Sequence, residues 1–213
     1  MMMLKVGVLA SGRGSNLQSI MDACAGGEIP ARVAVVISDN AGAYALERAR
    51  AAGIPAVYIS PGDYKDKGLY ETAIKESLEA HGVELVCLAG YMRLVGRVLL
   101  DAFPNRMMNI HPALLPAFPG LHGQQQAWEY GVKFSGCTVH FVDEGMDTGP
   151  IILQAVVPVL DVDSGETLSA RILEQEHKIY PAAVGLFARG QLVIQGRKVM
   201  LKKFYSEEEQ NEY

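Results

Sequence analysis

Apolar, β-branched runs alternate with helix-forming stretches through the first half of the chain, and this order constrains the fold more than any other feature. The apolar runs are residues 5–9, 32–37, 56–59 and 85–89. The helix-forming stretches are residues 16–25, 43–52 and 67–81. Continuous apolar runs are typical of strands buried on both faces. The alternation therefore predicts an α/β fold with a Rossmann-like, mostly parallel sheet and helices on both faces.

The C-terminal part of the chain changes character after a fifth strand pattern at residues 106–110. Further strands are predicted at residues 136–142 and 151–159, a helix start at Ser164, a long helix at residues 166–187, and a hairpin of residues 192–194 and 198–201. The hairpin is expected because Gln195-Gly196-Arg197 separates its two apolar arms. We therefore expect antiparallel strands and a long helix in this part.

Length and composition favour one globular domain. A chain of 213 residues fits a single domain, and no linker rich in Pro, Gly or Ser divides it. We predict one domain over residues 1–205 and a polar, acidic tail at 206–213. No segment has the length and apolar character of a membrane span, and the N-terminal residues lack the pattern of a secretion signal. We therefore expect a cytoplasmic protein.

Charge and cysteine usage argue against a nucleic-acid partner, a catalytic thiol and a metal site. The net charge of -5 disfavours a nucleic-acid partner, because binding a phosphate backbone requires concentrated Lys and Arg. Cys24, Cys87 and Cys137 are widely spaced and show no paired metal-ligand spacing. We therefore predict reduced core thiols, with neither a catalytic thiol nor a metal site.

Asn109, His111 and Asp147 form the strongest candidate site. If residues 109–111 are extended, the Asn109 and His111 side chains lie on one face of the strand, where they can address one small substrate group together. An amide, an imidazole and a carboxylate are suited to holding a carbonyl and donating a proton to its oxygen. The alternative is a buried histidine that is hydrogen-bonded for structural reasons.

A glycine-rich turn, Ser11-Gly12-Arg13-Gly14-Ser15-Asn16, follows the first strand and opens the first helix. Backbone N–H groups and the helix dipole at such a turn favour a bound phosphate. A dinucleotide fingerprint is a weaker interpretation, because Leu17 stands where a third glycine is expected, although Asp39 follows the second strand. A tight turn without a ligand is the remaining alternative.

Seven motifs in order resemble one enzyme family over nearly the whole chain. They are Ser11-Gly12-Arg13-Gly14-Ser15-Asn16-Leu17, Leu88-Ala89-Gly90-Tyr91-Met92-Arg93, Met108-Asn109-Ile110-His111-Pro112, Phe118-Pro119-Gly120, Gly136-Cys137-Thr138-Val139-His140-Phe141-Val142, Asp147-Thr148-Gly149-Pro150-Ile151-Ile152 and Gln175-Glu176-His177. Together they resemble the phosphoribosylglycinamide (glycinamide ribonucleotide) formyltransferases of the folate-dependent formyltransferase family. The resemblance implies transfer of a formyl group from 10-formyltetrahydrofolate to the amine of glycinamide ribonucleotide, in purine biosynthesis.

The resemblance also implies roles for the three candidate residues. The Asn109 amide would bind the formyl oxygen, and His111 would be the general acid for a tetrahedral intermediate formed by direct attack. Asp147 would raise the pKa of His111, so that an imidazolium persists at neutral pH. His140 belongs to the pattern in a structural or hydrogen-bonding role.

Further positions of the resemblance concern substrate binding. The nucleotide-phosphate half, at about residues 1–100, would bind the phosphate at Gly14, Ser15 and Asn16. The folate and catalytic half, at about residues 101–205, would contribute Glu176 to nucleotide recognition. The folate site would comprise Lys67, Met92, Arg93, Leu94, Val95 and Asn109. No metal is expected.

Several folate-dependent formyltransferases and hydrolases share this pattern of residues. A methionyl-tRNA formyltransferase would carry a further C-terminal domain, and a formyltetrahydrofolate hydrolase an extra N-terminal one, so both are disfavoured. A nucleotide-binding module that kept the fold without turnover belongs to a different class. A monomer and a homodimer both remain open.

Overall fold

The computed structural model of the protein describes residues 3–202. Its strands are β1 (Leu4–Leu9), β2 (Ala31–Ser38), β3 (Ala56–Tyr58), β4 (Leu85–Leu88), β5 (Met107–His111), β6 (Phe134–Phe141), β7 (Ile151–Pro158), β8 (Leu192–Gln195) and β9 (Lys198–Leu201). Its α-helices are α1 (Ser15–Ala25), α2 (Tyr44–Ala51), α3 (Lys67–Ala80), α4 (Arg97–Ala102), α5 (Gly123–Tyr130) and α6 (Gly165–Ala188). The predicted α/β fold class is confirmed.

All of these strands form one nine-stranded sheet in the order β3-β2-β1-β4-β5-β6-β7-β9-β8. The pairings among β1 to β5 are parallel, whereas β6 is antiparallel to both β5 and β7. Strand β6 ends with Phe141 opposite Met108. Because Met108 lies opposite Cys87, the following connection, residues 142–150, leaves the sheet near the carboxyl end of β4, the edge where ligands of α/β sheets usually bind.

Two apolar cores cover the two faces of the sheet. Period-two alternation in β4 sends Leu85 and Cys87 into one core and Val86 and Leu88 into the other. The first core includes buried side chains of α1, α2 and α6, and the second includes those of α3 and α4. Burial on both faces is the reason that the parallel strands read as continuous apolar runs.

Side-chain caps fix where the two long helices begin. The Asp66 carboxylate accepts a hydrogen bond of 2.9 Å from the Leu69 N–H and starts α3. Ser164 and Thr167 form a reciprocal capping box at the start of α6, which confirms the predicted helix start.

Two short helices were not predicted from the sequence. Helix α4 has six residues, of which only Leu99 is buried, and α5 buries only Gly123 and Ala127. Such short segments lack the repeated apolar positions that identify a helix. The hairpin of β8 and β9 is confirmed, and its register places Ile151 of β7 beside Lys198 of β9. The predicted tail at 206–213 lies outside the described residues.

The three thiols are free, and two of them are fully buried in the first core. Burial raises the pKa of both the Cys87 and the Cys137 thiols to about 12. They therefore stay protonated near neutral pH, as unreactive core residues do. Within residues 3–202, no helix combines the length and the apolar character that crossing a membrane requires.

Tyr180 links α6 to the centre of the sheet. Its ring is fully buried, and its hydroxyl lies 3.0 Å from both the Leu88 carbonyl and the Met108 carbonyl, which share its single proton. Both acceptors lie at the parallel junction of β4 and β5, so this hydroxyl holds the strands that carry the candidate site.

We predict that Tyr180→Phe lowers the free energy of unfolding by about 1–3 kcal/mol, because it leaves buried carbonyl groups without their donor. Urea denaturation measures the change. Tyr130→Phe is the matched control, since the Tyr130 side chain is exposed. Equal stability of the two variants would contradict this role for Tyr180.

Candidate active site

A cavity of about 370 Å³ lies at the carboxyl edge of β4 and β5 and brings the three candidate residues together. Asn109 and His111 border it from β5, and Asp147 borders it from the connection between β6 and β7. The side chains of Asn109 and His111 share a face because they are two residues apart on one strand. The predicted juxtaposition with Asp147 is present.

The Asp147 carboxylate is the centre of a polar cluster. Its Oδ2 atom accepts a hydrogen bond of 2.7 Å from the Gly120 N–H and lies 3.4 Å from His111 Nδ1. Its Oδ1 atom lies 3.4 Å from the donating Asn109 amide and 3.6 Å from His140 Nε2. Asp147 itself has a φ of 55°, a conformation that Asp tolerates better than most residues. One carboxylate thus orients two imidazoles and an amide.

Asp147 is ionised in this environment. Burial raises the pKa of its carboxyl group, but contacts with His140, the Gly120 N–H and the His111 ring outweigh burial and bring the pKa below its usual value. A fixed negative charge therefore faces the ring of His111 at neutral pH.

We expected His111 to be protonated at neutral pH, and this prediction is wrong for the free protein. Burial lowers the pKa of His111, and the Asp147 charge and the Phe118 carbonyl raise it only part of the way back. The predicted direction of the Asp147 effect is confirmed, but desolvation is larger because the His111 side chain is only 4% exposed. Neutral imidazole is therefore the main form near pH 7 in the free protein.

The two ring nitrogens of His111 differ in their surroundings. Nε2 lies 2.7 Å from the Phe118 carbonyl, which can only accept, so this nitrogen carries a proton. Nδ1 has Asp147 as its polar neighbour, at 3.4 Å. The Phe118 carbonyl and the Gly120 N–H come from a loop that sequence reasoning did not connect to His111 and Asp147, because main-chain groups leave no side-chain signal.

His140 has the hydrogen-bonding position that the sequence predicted. Its Nδ1 contacts the Phe141 carbonyl at 2.8 Å, and its Nε2 lies 3.2 Å from the donating amide nitrogen of Asn109. Register pairing of β5 and β6 puts Asn109 opposite His140, which explains the contact. His140 thereby orients the amide of Asn109.

The segment predicted to bind folate borders the same cavity. Met92, Arg93, Leu94 and Val95 line it, and Met92 and Leu94 are largely exposed. Arg93 Nε donates to Asp39 Oδ2 at 2.7 Å, so the acid considered for a dinucleotide ribose is engaged in an ion pair instead.

Lys67 is placed differently from the other predicted folate residues. It lies at the first position of α3, outside the residues that border the cavity, and its Nζ is 3.6 Å from the buried carboxylate of Glu71. Glu71 also accepts a hydrogen bond of 2.6 Å from the Gly96 N–H at the start of α4. This buried acid was missed by sequence reasoning, because it lies among surface-like residues of α3.

The glycine-rich turn that carries the predicted phosphate residues contacts the folate segment, because the Met92 N–H donates to Ser11 Oγ at 3.0 Å. Gly14 has a φ of 70° and leads into α1, and a side chain there would lie within 2.9 Å of Ala45. Within residues 3–202, no side chain caps α1, so its first N–H groups face outward without a helical partner. Asn16 Nδ2 donates to Glu176 Oε2 at 2.7 Å, which joins two predicted nucleotide residues. Burial raises the pKa of Glu176, and the Asn16 amide offsets part of that rise.

Among the described residues, no group of three or more His, Cys, Asp or Glu side chains is arranged to hold a metal ion.

An amide, an imidazole and a carboxylate meet at one cavity of an α/β domain, as in an enzyme site, and comparison with known proteins identifies the family. Residues 4–184 match the formyl transferase family, and the chain belongs to that family. Phosphoribosylglycinamide formyltransferase of Bacillus subtilis is 46% identical over 193 residues, which cover 89% of this chain and 99% of that protein. The crystal structure of glycinamide ribonucleotide transformylase 1 from Symbiobacterium toebii has a TM-score of 0.93 and 60% identity, covering 94% of this chain and 95% of that one.

One group of relatives is much longer than this chain. The trifunctional purine biosynthetic protein of Drosophila pseudoobscura pseudoobscura is 48% identical over 190 residues, but the match covers 88% of this chain and only 14% of that protein. The likeness therefore concerns one part of that protein.

We predict that Asp147→Asn lowers the pKa of His111 further, because it removes the negative charge 3.4 Å from Nδ1 and keeps the burial. The imidazolium should then be populated only at a more acidic pH than in the wild type. NMR titration of the His111 ring measures this change. Asp161→Asn is the control for loss of one charge at an exposed position. An unchanged His111 pKa in Asp147→Asn would leave Asp147 without electrostatic influence on the ring.

Proposed function

We propose that the protein transfers a formyl group from 10-formyltetrahydrofolate to the amine of glycinamide ribonucleotide, a step of purine biosynthesis. The observation that carries this proposal is the convergence of Asn109, His111 and Asp147 on one cavity that the 92–95 segment also borders. The family membership and the 46% identity along 99% of the Bacillus subtilis enzyme support the same activity.

The proposed reaction is direct attack of the glycine amine on the formyl carbon. The new C–N bond forms as the C=O electrons move to oxygen, giving a tetrahedral centre with an oxyanion. The Asn109 amide would donate to this oxygen, and such a donor stabilises an oxyanion more strongly than a neutral carbonyl. Collapse breaks the bond to N10 of the folate, which takes up the proton that the amine loses.

His111 would supply a proton to the oxyanion from Nδ1, since Nε2 is held by the Phe118 carbonyl, and would take it back as the C=O bond re-forms on collapse. The neutral ring of the free protein must first gain that proton from solvent. A developing oxyanion beside the ring adds a second negative charge to that of Asp147, which favours the imidazolium and raises the His111 pKa in the reacting complex. Protonation of His111 is thereby coupled to formation of the tetrahedral intermediate.

The same proposal assigns the two substrates to different walls of the site. The folate would occupy the cavity against Met92, Arg93, Leu94 and Val95, with Asn109 at its reactive end. Lys67 would meet the folate carboxylates from the start of α3. The nucleotide would place its phosphate at Gly14, Ser15 and Asn16, and its sugar near Glu176, which Asn16 holds in place. Neither assignment includes a metal ion.

Formyl transfer to water is the second candidate function. A formyltetrahydrofolate deformylase from Pseudomonas syringae pv. tomato has a TM-score of 0.86 at 26% identity, with 94% of this chain and 66% of that one covered. The likeness favours a shared fold and the same formyl donor, but a different acceptor distinguishes the two reactions.

The test is to incubate the protein with 10-formyltetrahydrofolate in the presence and absence of glycinamide ribonucleotide. We expect loss of the formyl group only when the nucleotide is present, with an equal amount of formylated nucleotide formed. Loss to water alone would establish the hydrolase. No loss under either condition would indicate a nucleotide-binding module without turnover.

We further predict that His111→Ala lowers kcat by a factor on the order of 10² to 10⁴, because it removes proton donation to the oxyanion. Folate affinity should change little, since this interaction develops mainly in the transition state. His81→Ala is the matched control at the C-terminal end of α3. A kcat near the wild-type value would remove His111 from the mechanism.

A further inference from the structure

A second cavity, of about 1010 Å³, begins beside the glycine-rich turn and follows the groove between α1 and α6. Ser15 and Gln18 of α1, Arg48 of α2 and His177 of α6 border the end next to the turn. This end adjoins the bonded pair of Asn16 and Glu176. The inference below rests on the proposed function, which places the nucleotide phosphate against this turn.

Arg48 is held firmly against the glycine-rich turn. Its Nε donates to the Arg13 carbonyl at 2.9 Å, and its Nη1 donates to Gln18 Oε1 at 2.9 Å. Its guanidinium also lies 4.8 Å from the centre of the Tyr44 ring. These contacts fix a permanent positive charge beside the start of α1, where the turn otherwise offers mainly main-chain donors.

His177 has an unsatisfied polar atom in the same place. Its Nε2 is buried and has no hydrogen-bond partner within residues 3–202. Burial and the nearby charge of Arg48 lower the pKa of His177. A buried ring nitrogen without a partner is costly, and a nearby anion would satisfy it.

We propose that Arg48 and His177 form part of the site that binds the phosphate of glycinamide ribonucleotide. Arg48 supplies a positive charge and positions the turn through the Arg13 carbonyl, and His177 donates a hydrogen bond from Nε2 to a phosphate oxygen. A phosphate monoester carries a charge of about −1.5 to −2 at pH 7, so it attracts the guanidinium and stabilises a protonated imidazole.

Other charged groups border this cavity and set the background for any titration. They are Asp22 from α1, Glu28 from the turn after α1, Lys178 from α6 and Arg189 at the end of α6. These groups are equally present in the free and the bound protein, so a change in the His177 pKa on binding reports the phosphate.

The first test is the steady-state kinetics of Arg48→Met and Arg48→Lys. Loss of a hydrogen-bonded charge should raise KM for glycinamide ribonucleotide by on the order of tenfold or more, while kcat and folate affinity stay near wild type. Lys keeps the charge but not both hydrogen bonds, so Arg48→Lys should show a smaller rise. Arg50→Met is the control, because Arg50 is exposed on the same helix and pairs with Glu47.

A parallel variant separates this inference from the proposed phosphate site. Ser15→Asp places a negative charge at the turn and should raise the nucleotide KM steeply, without loss of stability at a helix start. A rise in Ser15→Asp without any rise in Arg48→Met or in His177→Ala would overturn the inference and leave the turn as the phosphate site. No rise in any of these variants would place the phosphate elsewhere.

The second test is NMR titration of His177, which a merely structural role for Arg48 would not affect. Saturating glycinamide ribonucleotide should raise the His177 pKa, and the nucleoside that lacks the phosphate should not. Arg48→Met should raise the His177 pKa of the free protein, because a neighbouring positive charge is lost. A His177 pKa that does not respond to the phosphorylated ligand would overturn the inference.

Discussion

The change of strand direction at β5 is the constraint on which the candidate site depends. Strand β5 pairs in parallel with β4 and extends two residues beyond it, because Leu88, the last residue of β4, lies opposite Asn109. Strand β6 runs back along β5 and ends with Phe141 opposite Met108, level with Cys87 near the carboxyl end of β4. Because of this reversal, Asp147 reaches His111, and His140 lies opposite Asn109. The glycine-rich turn and the 92–95 segment lie at the same edge of the sheet. The two proposed substrates would therefore meet there.

The fold could be predicted from the sequence wherever the apolar pattern of a strand or helix extended over enough residues to be recognised. The buried strands and α6 show such periods over many residues, and the structure places them within one or two residues of the prediction. Helices α4 and α5 could not be found in this way, because a single turn or two buries too few residues. The pairing of β9 with β7 could not be predicted either, because it consists of a single register pair between Ile151 and Lys198.

The sequence predicted the side chains of the candidate site, but not their surroundings. Side-chain types and spacing identify Asn109, His111 and Asp147, but the balance of burial against charge at His111 depends on solvent exclusion, which only the folded chain determines. The Gly120 N–H on Asp147 and the Phe118 carbonyl on His111 are main-chain contacts of a loop with a positive φ at Phe118. Tertiary contacts of this kind leave no pattern in a single sequence.

The most direct test of the account is a crystal structure with glycinamide ribonucleotide and a folate analogue whose formyl group cannot be transferred. We predict that the glycine nitrogen lies about 3–3.5 Å from the formyl carbon. We also predict that the formyl oxygen lies within about 3.2 Å of the Asn109 amide, beside His111. A formyl group that points away from Asn109 and His111, with both substrates bound, would contradict the central claim that these residues act on the formyl oxygen.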